Sequence, residues 1–189
     1  LTCGVDYEIT GLEKIPKTPV IIMSNHQSTW ETMAIQGLFP PLVWILKREL
    51  LFLPFFGWAL FVLHSIAINR SKGKQARDQL IAQGKQRLEE GINIVVFPEG
   101  TRVAAGEKKK YKLGGAILAE KAGVPVVPVA HNAGYLWPRH SFFKTPGKIR
   151  MVIGEPIDTT GLSAAEINSR VQQWIEKQLE QMGEPEIRS

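Results

Sequence analysis

The sequence predicts an α/β fold: a single domain with a mixed, mostly parallel sheet flanked by helices. Apolar runs with strand character alternate with helix-like segments along the chain. The length of 189 residues is that of one ordinary domain. Hydrophobic residues make up 44% of the chain, enough to form a core, which excludes a disordered, collagen-like or low-complexity protein. We therefore predict one domain over residues 1–189.

The first strands are predicted from short apolar runs. Residues 20–23 and 42–46 have the length and composition of buried strands, and a helix from about residue 29 to residue 37 lies between them. Residues 66–68 form a further apolar run with the character of a strand. This order matches the alternation expected of an α/β sheet.

A helix, a strand and a second helix follow. Residues 74–90 are predicted to form a helix that ends at Gly91. Its apolar face consists of Ala76, Leu80, Gly84 and Leu88. Residues 92–97 are the clearest buried strand, because they are mostly β-branched and end at a proline. Residues 113–122 are predicted to form the second helix.

Two strands and a long helix complete the predicted fold. The strands are expected at residues 124–130 and 148–153. An amphipathic helix is expected over residues 163–182, where Ser163 and Glu166 form a capping box at its start. This C-terminal helix is acidic.

The charge of the chain is unevenly distributed. Residues 1–154 carry a net charge of +9 and residues 155–189 a net charge of −4, which give +5 in total. A basic body favours a partner with phosphate groups, such as nucleic acid, an anionic membrane surface or a phosphorylated small molecule. Since the sequence shows no aromatic platform for RNA, we do not predict nucleic acid as a partner. The chain begins at Leu1 rather than Met, so we expect a further N-terminal segment before it.

One apolar segment suggests contact with lipid. Residues 50–69 contain no Asp, Glu, Lys or Arg, and twenty residues can span a bilayer as a helix. Pro54 and Gly57 interrupt the run, which argues against a straight span. Three interpretations stay open: a buried core helix plus a strand, a helix half-sunk in the membrane surface, and a true span. The aromatic content favours the membrane surface. The aromatic residues are Phe52, Phe55, Phe56, Trp58 and Phe61.

Several common catalytic signatures are absent from the sequence. It has no G-x-S-x-G nucleophile elbow, no P-loop and no G-x-G-x-x-G turn. Its four histidines form no H-E-x-x-H pair, and its single cysteine, Cys3, can form neither an internal disulfide nor a cysteine-rich zinc site. We predict no metal and no cofactor.

A polar loop after the predicted strand at residues 20–23 carries a histidine and an acid. Its sequence is Asn-His-Gln-Ser-Thr-Trp-Glu, with His26 and Glu31 five residues apart. Ligands in α/β sheets collect where strand ends open into loops. A carboxylate that accepts a proton from one ring nitrogen would fix the tautomer and leave the other nitrogen to act as a base.

The spacing permits two interpretations of Glu31. Five residues turn a helix through about 500°, so the two side chains can meet only if His26 precedes the helix. Ser28 is a good N-cap, which would place His26 in the loop. Ser28 and Glu31 also fit a capping box by themselves, and that box would explain the glutamate without catalysis.

A second loop has features of an anion site. The sequence Phe-Pro-Glu-Gly-Thr-Arg occupies residues 97–102. Gly100 allows backbone amides to approach an anion, Thr101 can donate from its hydroxyl, and Arg102 can bind a phosphate with two hydrogen bonds. An ordinary turn after a strand is the alternative.

Together the two loops resemble the motif blocks of the glycerolipid acyltransferase family. The first block of that family is H-x-x-x-x-D; here it is His26 with Glu31, an acid one methylene longer. The third block matches fully as residues 97–102. The second block is matched by residues 47–50, Pro54, Gly57 and residues 66–70. The final block is matched by residues 124–129. The four blocks cover about residues 20–130.

The resemblance implies transfer of a fatty acyl group from acyl-CoA or acyl carrier protein to the hydroxyl of lysophosphatidic acid, which gives phosphatidic acid. It implies that His26 is the general base, that Glu31 is its partner and that Lys47 lies on the oxyanion or acyl-donor side. Glu99 is expected to orient the arginines. The residues implied at the acceptor phosphate are Arg70, Glu99, Gly100, Thr101 and Arg102.

The resemblance also implies a location. We expect the protein at an anionic membrane surface, on the cytoplasmic face of a bacterial-type inner membrane. Two alternatives remain: acylation of another lysolipid, for example an aminolipid, and a catalytically silent lipid-binding module.

Overall fold

A seven-stranded sheet forms the centre of the part of the chain described by this computed structural model, which is residues 4–53, 55, 57–58, 62 and 65–187. Its strands are β1 (Val5–Thr10), β2 (Ile21–Ser24), β3 (Leu42–Lys47), β4 (Ile66–Ile68), β5 (Asn93–Val96), β6 (Val126–His131) and β7 (Gly147–Ile153). Their spatial order is β1-β7-β6-β2-β5-β3-β4. The strands from β2 to β6 are mutually parallel, β7 is antiparallel to β6, and β1 is parallel to β7. The predicted mixed, mostly parallel sheet is confirmed.

Helices flank this sheet on both faces. They are α1 (Trp30–Leu38), α2 (Gly73–Glu89), α3 (Gly114–Ala122), α4 (Ala133–Leu136) and α5 (Ala164–Met182). Short 3-10 turns lie at Leu12–Lys14, Arg48–Phe52 and Arg70–Lys72.

The central strands are buried on both faces, as expected of a parallel sheet covered by helices. Every residue of β2 and of β6 is buried. Ile21 and Met23 of β2 belong to an apolar cluster with α2, α3 and α5. Ile22 points to the other face, into a cluster with α1 and α4. Alternate residues of one strand therefore pack into two separate apolar cores, one on each face of the sheet.

Close packing of α2 on α3 explains the glycine within the apolar face of α2. A Cβ atom on Gly84 would lie 2.5 Å from a side-chain carbon of Leu118. A side chain at this position would require the buried Leu118 to shift, since real Cβ contacts are not this short.

The C-terminal helix forms as predicted. Ser163 is its N-cap, and its side chain accepts the amide of Glu166 while the Glu166 carboxylate accepts the amide of Ser163. The predicted capping box is confirmed, and the helix begins one residue later than expected, at Ala164.

The edge strand β1 was not predicted. It carries exposed polar side chains such as Asp6 and Glu8, and Tyr7 is 62% exposed. Its apolar and polar residues alternate, which is the signal of a strand with one solvated face. The prediction relied on continuous apolar runs and so missed this pattern.

The apolar segment after β3 is described only in part. Residues 54, 56, 59–61 and 63–64, among them Pro54, Phe56 and Phe61, lie outside the described residues, so the predicted helix is not traced throughout. The described apolar side chains are not buried, which disagrees with the interpretation of a core helix. Phe52, Leu53, Phe55, Trp58 and Val62 are each between 48% and 78% exposed, and Leu50 and Leu51 are half-buried. Among the helices that the structure describes, none is long and apolar enough to cross a bilayer.

Candidate active site

The predicted site residues follow the carboxyl ends of parallel strands. β2 leads into the loop with His26, and β5 leads into residues 97–102. Met23 pairs with Val96, so the two loops leave the sheet side by side. This edge is where α/β sheets bind ligands.

The structure brings His26 and Glu31 together. Nδ1 of His26 lies 2.8 Å from Oε1 of Glu31. The contact is possible because His26 lies in the loop, before α1 begins at Trp30. The His26 side chain is 18% exposed and the Glu31 side chain is fully buried.

Glu31 also anchors the loop to the start of the helix. Its Oε1 accepts the backbone amides of Gln27 at 3.0 Å and Ser28 at 2.8 Å. The Ser28 hydroxyl accepts the amide of Trp30 rather than that of Glu31, and Thr29 holds the N-cap position, so the predicted cap at Ser28 is corrected by one residue. One carboxylate oxygen thus serves both the helix start and the histidine, and the two interpretations of Glu31 are compatible.

The surroundings keep Glu31 ionised. Burial by itself would raise the pKa of this carboxyl. The hydrogen bonds from Nδ1 of His26 and from the amide of Ser28 oppose this effect, and the pKa of Glu31 lies below its usual range. An anionic Glu31 favours the tautomer of His26 that donates from Nδ1, which leaves Nε2 with a free lone pair.

A second histidine, His131, lies behind this pair. Nε2 of the fully buried His131 donates to the backbone oxygen of Asn25 at 2.8 Å, and the amide of Ala133 donates to its Nδ1. Burial lowers the pKa of His131, and these two bonds fit its neutral form. Nε2 also lies 4.0 Å from Oε1 of Glu31. Because His131 ends β6, far along the chain from Glu31, no local spacing pointed to this contact.

Asn25 joins the two strands next to His26. Its side-chain amide donates to the backbone oxygen of His131 at 2.9 Å, and its side-chain oxygen accepts the amide of the same residue at 3.0 Å. The residue before the catalytic candidate is therefore fixed to the end of β6.

The second loop holds His26 from the other side. The carboxylate of Glu99 accepts the amide of His26 at 2.8 Å, and the amide of Val103 donates to the His26 backbone oxygen at 2.8 Å. The ring of Phe97 stacks on the imidazole, with centroids 3.8 Å apart and planes within 8°. His26 is thus held through its backbone, its ring face and Nδ1.

The position of Glu99 corrects its predicted role. We expected its carboxylate to orient the arginines at the acceptor phosphate. It is instead 6% exposed and bound to the His26 backbone. Burial raises the pKa of Glu99 to about 7, aided by the negative charge of Glu31, although the amide of His26 opposes the shift.

Arg102, the last residue of the second loop, reaches the first loop. Its guanidinium donates to the Thr29 hydroxyl at 3.3 Å, next to the start of α1. Arg139 donates to the Arg102 backbone oxygen. Gly100 turns the chain with φ 73°, a conformation that favours glycine, and Thr101 is exposed. The contact of Arg102 with Thr29 therefore joins the second loop to the first.

Lys47 and Arg70 lie further along the same edge. Lys47 is the exposed last residue of β3, and Arg70 begins the turn after β4. The side chain of Arg70 lies outside the described part of the structure. The described contacts of His26 and Glu31 do not include Lys47. Over the described residues, no group of three His, Cys, Asp or Glu side chains is arranged to hold a metal ion.

Comparisons with known proteins show which proteins this chain is similar to. A family model described as Acyltransferase matches residues 6–132. The chain is 48% identical over 178 residues to the 1-acyl-sn-glycerol-3-phosphate acyltransferase of Pseudomonas aeruginosa, an alignment that covers 93% of this chain and 69% of that protein. It is 32% identical over 172 residues to 1-acyl-sn-glycerol-3-phosphate acyltransferase beta of Homo sapiens, with 89% of this chain and 62% of that protein covered.

A solved structure has the same fold. The crystal structure of the 1-acyl-sn-glycerophosphate (LPA) acyltransferase PlsC from Thermotoga maritima superposes with a TM-score of 0.79 at 31% identity. The superposition covers 94% of this chain and 72% of the Thermotoga chain. The chain thus spans roughly two thirds of the length of these proteins.

Proposed function

The chain belongs to the acyltransferase family, and on that premise we propose that it transfers a fatty acyl group from a thioester to the free hydroxyl of lysophosphatidic acid, giving phosphatidic acid. The activity of a 1-acylglycerol-3-phosphate O-acyltransferase, predicted from the sequence, agrees with the names of its relatives. The observation that carries the proposal is the 2.8 Å contact of His26 with Glu31 at the strand ends.

In the proposed reaction His26 is the general base. Its Nε2 takes the proton of the acceptor hydroxyl as that oxygen attacks the thioester carbon. The tetrahedral intermediate then collapses, the C–S bond breaks, and the imidazolium returns the proton to the departing thiolate. No covalent acyl-enzyme is needed, which suits a chain without a nucleophile elbow.

Glu31 positions the base and balances its charge. The imidazolium carries a positive charge only while the intermediate exists, and a buried carboxylate 2.8 Å away stabilises that charge. The amides of Gln27 and Ser28 fix the carboxylate, so it cannot turn away from the ring.

Four further residues are assigned to the acceptor phosphate and one to the oxyanion. We assign Arg102 to the phosphate because its guanidinium lies beside the loop that holds His26. Gly100 and Thr101 shape the same turn, and Arg70 is assigned by the resemblance alone. Lys47, at the end of β3, is assigned to the developing oxyanion or the acyl-donor side.

The donor and the location form part of the proposal. Acyl-CoA and acyl carrier protein present the same thioester, and either satisfies the chemistry. A basic body and exposed aromatic residues suit a membrane surface. Anionic lipids concentrate on cytoplasmic leaflets, and we therefore place the protein on the cytoplasmic face of an inner membrane.

A panel of acceptors tests the proposal. Release of free thiol from acyl-CoA is measured with no acceptor, with lysophosphatidic acid, and with a lysolipid whose headgroup is an amine. We expect thiol release only with lysophosphatidic acid, with phosphatidic acid as the product. Equal rates with the aminolipid would reassign the acceptor, and no release with any acceptor or donor would indicate a silent lipid-binding module.

A further inference from the structure

Strand order places two exposed aromatic segments on opposite sides of the candidate active site. The catalytic loops follow β2 and β5, which are adjacent in the order β6-β2-β5-β3. The apolar segment that begins at residue 50 comes shortly after β3, on one side of that pair. The connection from β6 to β7, residues 132–146, follows the strand on the other side. All four connections leave from the carboxyl edge of the sheet.

The β6–β7 connection carries the most exposed aromatic pair among the described residues. Phe142 is 94% exposed and Phe143 is 83% exposed, and their rings meet edge to face with centroids 6.0 Å apart. These rings pack on each other and leave most of their surface in water. We call residues 137–146 the aromatic loop.

Basic residues flank this pair in the sequence. Arg139 and His140 are exposed on one side, and Lys144 follows on the other. Lys144 lies 5.1 Å from the centroid of the Trp137 ring and donates to the backbone oxygen of Ser141 at 2.6 Å. Exposed Phe rings next to Trp and basic residues are typical of segments that enter the interface of an anionic bilayer.

The aromatic loop is tied to the candidate active site. Arg139 donates to the backbone oxygen of Arg102, the residue assigned to the acceptor phosphate. The Lys144 bond to Ser141 and a bond from the Ser141 hydroxyl to the Phe143 backbone oxygen at 2.9 Å hold the tip of the loop. The Phe pair is therefore presented by an ordered turn beside the phosphate-binding loop.

We propose that the aromatic loop is a second membrane contact, whose Phe142 and Phe143 insert into the interfacial region of an anionic bilayer. With the segment after β3 on the other side, the carboxyl ends of β6, β2, β5 and β3 then face the membrane. The proposal extends the function proposed above, because a lipid acceptor would enter between two inserted segments with its phosphate at the level of Arg102.

Binding to vesicles tests the proposal directly. Dissociation constants are measured by co-sedimentation with vesicles of phosphatidylcholine alone and with added phosphatidic acid. We expect Phe142→Ser with Phe143→Ser to weaken binding to the anionic vesicles by about tenfold or more, from lost apolar burial. Leu12→Ser is the matched control for Phe142→Ser, because Leu12 is 49% exposed and follows β1 at the opposite edge of the sheet. The control is expected to bind as the unchanged chain does.

The depth of a label at position 142 in the bilayer is a readout that a change in folding would not mimic. Because Cys3 is the only cysteine, a nitroxide can be attached at Phe142→Cys in a Cys3→Ser background. We expect the label to become accessible to oxygen and protected from a water-soluble relaxation agent when vesicles are added. A label that stays accessible to the water-soluble agent on bound vesicles would overturn the proposal.

Other outcomes are equally decisive. An unchanged affinity of the double variant for vesicles would overturn the proposal. If that variant also lost transfer only from a protein-borne acyl donor, the loop would be a docking surface for protein instead. Vesicle binding requires no turnover, so failure of the unchanged chain to acylate lysophosphatidic acid would defeat the proposed function without affecting this result.

Discussion

Oε1 of Glu31 lies 2.8 Å from Nδ1 of His26 while it accepts the amides that precede helix α1. Formation of the helix start therefore places the carboxylate beside His26, the proposed base. The same side chain, being fully buried, can hold a charge only because these partners stabilise it. One carboxylate oxygen thus links the start of α1 to the proposed catalytic histidine.

Replacement of Glu31 by glutamine separates its two roles. In Glu31→Gln the side-chain oxygen can still accept the amides of Gln27 and Ser28, so the melting temperature should change little. The charge that balances the imidazolium is lost, and kcat should fall by about two orders of magnitude or more. Thermal unfolding and steady-state kinetics on the same preparation check both. A fully active Glu31→Gln enzyme would restrict Glu31 to the helix start.

The shorter acid is the matched probe of distance. Glu31→Asp restores the acid usual in the family but withdraws the carboxylate by roughly one C–C bond, about 1.5 Å. We expect partial activity, between those of the unchanged enzyme and Glu31→Gln. Activity lower than that of Glu31→Gln would mean that position matters more than charge.

Removal of the Arg102 guanidinium should affect one substrate selectively. A charge-assisted bond to phosphate is worth roughly 1.5–3 kcal/mol, so Arg102→Ala should raise the KM for lysophosphatidic acid by about ten- to a hundredfold. The KM for the acyl donor should change little. Arg170→Ala, at an exposed position of α5, is the control for loss of a positive charge. Equal losses for both substrates would assign Arg102 to the fold or the transition state.

Charged residues in the segment after β3 should weaken attachment to vesicles. Phe55 and Trp58 are 78% and 63% exposed, so Phe55→Glu and Trp58→Glu remove no described core contact. We expect weaker co-sedimentation with anionic vesicles and an unchanged melting temperature. Met33→Glu, which alters a 55% exposed residue of α1, is the control. Vesicle binding equal to that of the control would show that this segment is not a membrane contact.

The buried Glu99 should make stability depend on pH. Its pKa is about 7 in the folded chain and about 4.5 when solvated, so the folded state binds more protons between these values. The free energy of unfolding should therefore fall as the pH rises from about 4.5 to about 7, by at most about 3 kcal/mol. Glu99→Gln keeps an acceptor for the His26 amide and should remove this decline.

Denaturant unfolding at several pH values measures the effect. Glu89→Gln, at an exposed position of α2, serves as the control for loss of a surface carboxylate. If Glu99→Gln and the unchanged chain lose stability in parallel as the pH rises, another group controls the decline.

Local patterns were sufficient to predict most of the fold. The apolar runs of β2, β5 and β6 are buried on both sides, so composition alone identifies them. The edge strand β1 lacks such a run, because one of its faces meets water. Its only signal was alternation over six residues.

The contacts of the candidate site also divide into local ones, which could be predicted, and long-range ones, which could not. The pair His26 and Glu31 could be predicted because both residues belong to one loop and one helix start. The contact of Glu99 with the His26 amide depends on the pairing of β2 with β5, and the contact of His131 with Asn25 depends on the pairing of β2 with β6. Strand order is a long-range property that neither residue type nor spacing reveals.

The most direct test of the account is the acyl transfer rate of His26→Ala with acyl-CoA and a short-chain lysophosphatidic acid in solution. Loss of a general base costs about 10²–10⁴-fold. We therefore predict that phosphatidic acid formation and thiol release fall together by that factor, in a variant whose circular dichroism and melting temperature match those of the unchanged chain. Near-normal turnover by folded His26→Ala would contradict the mechanism at its centre.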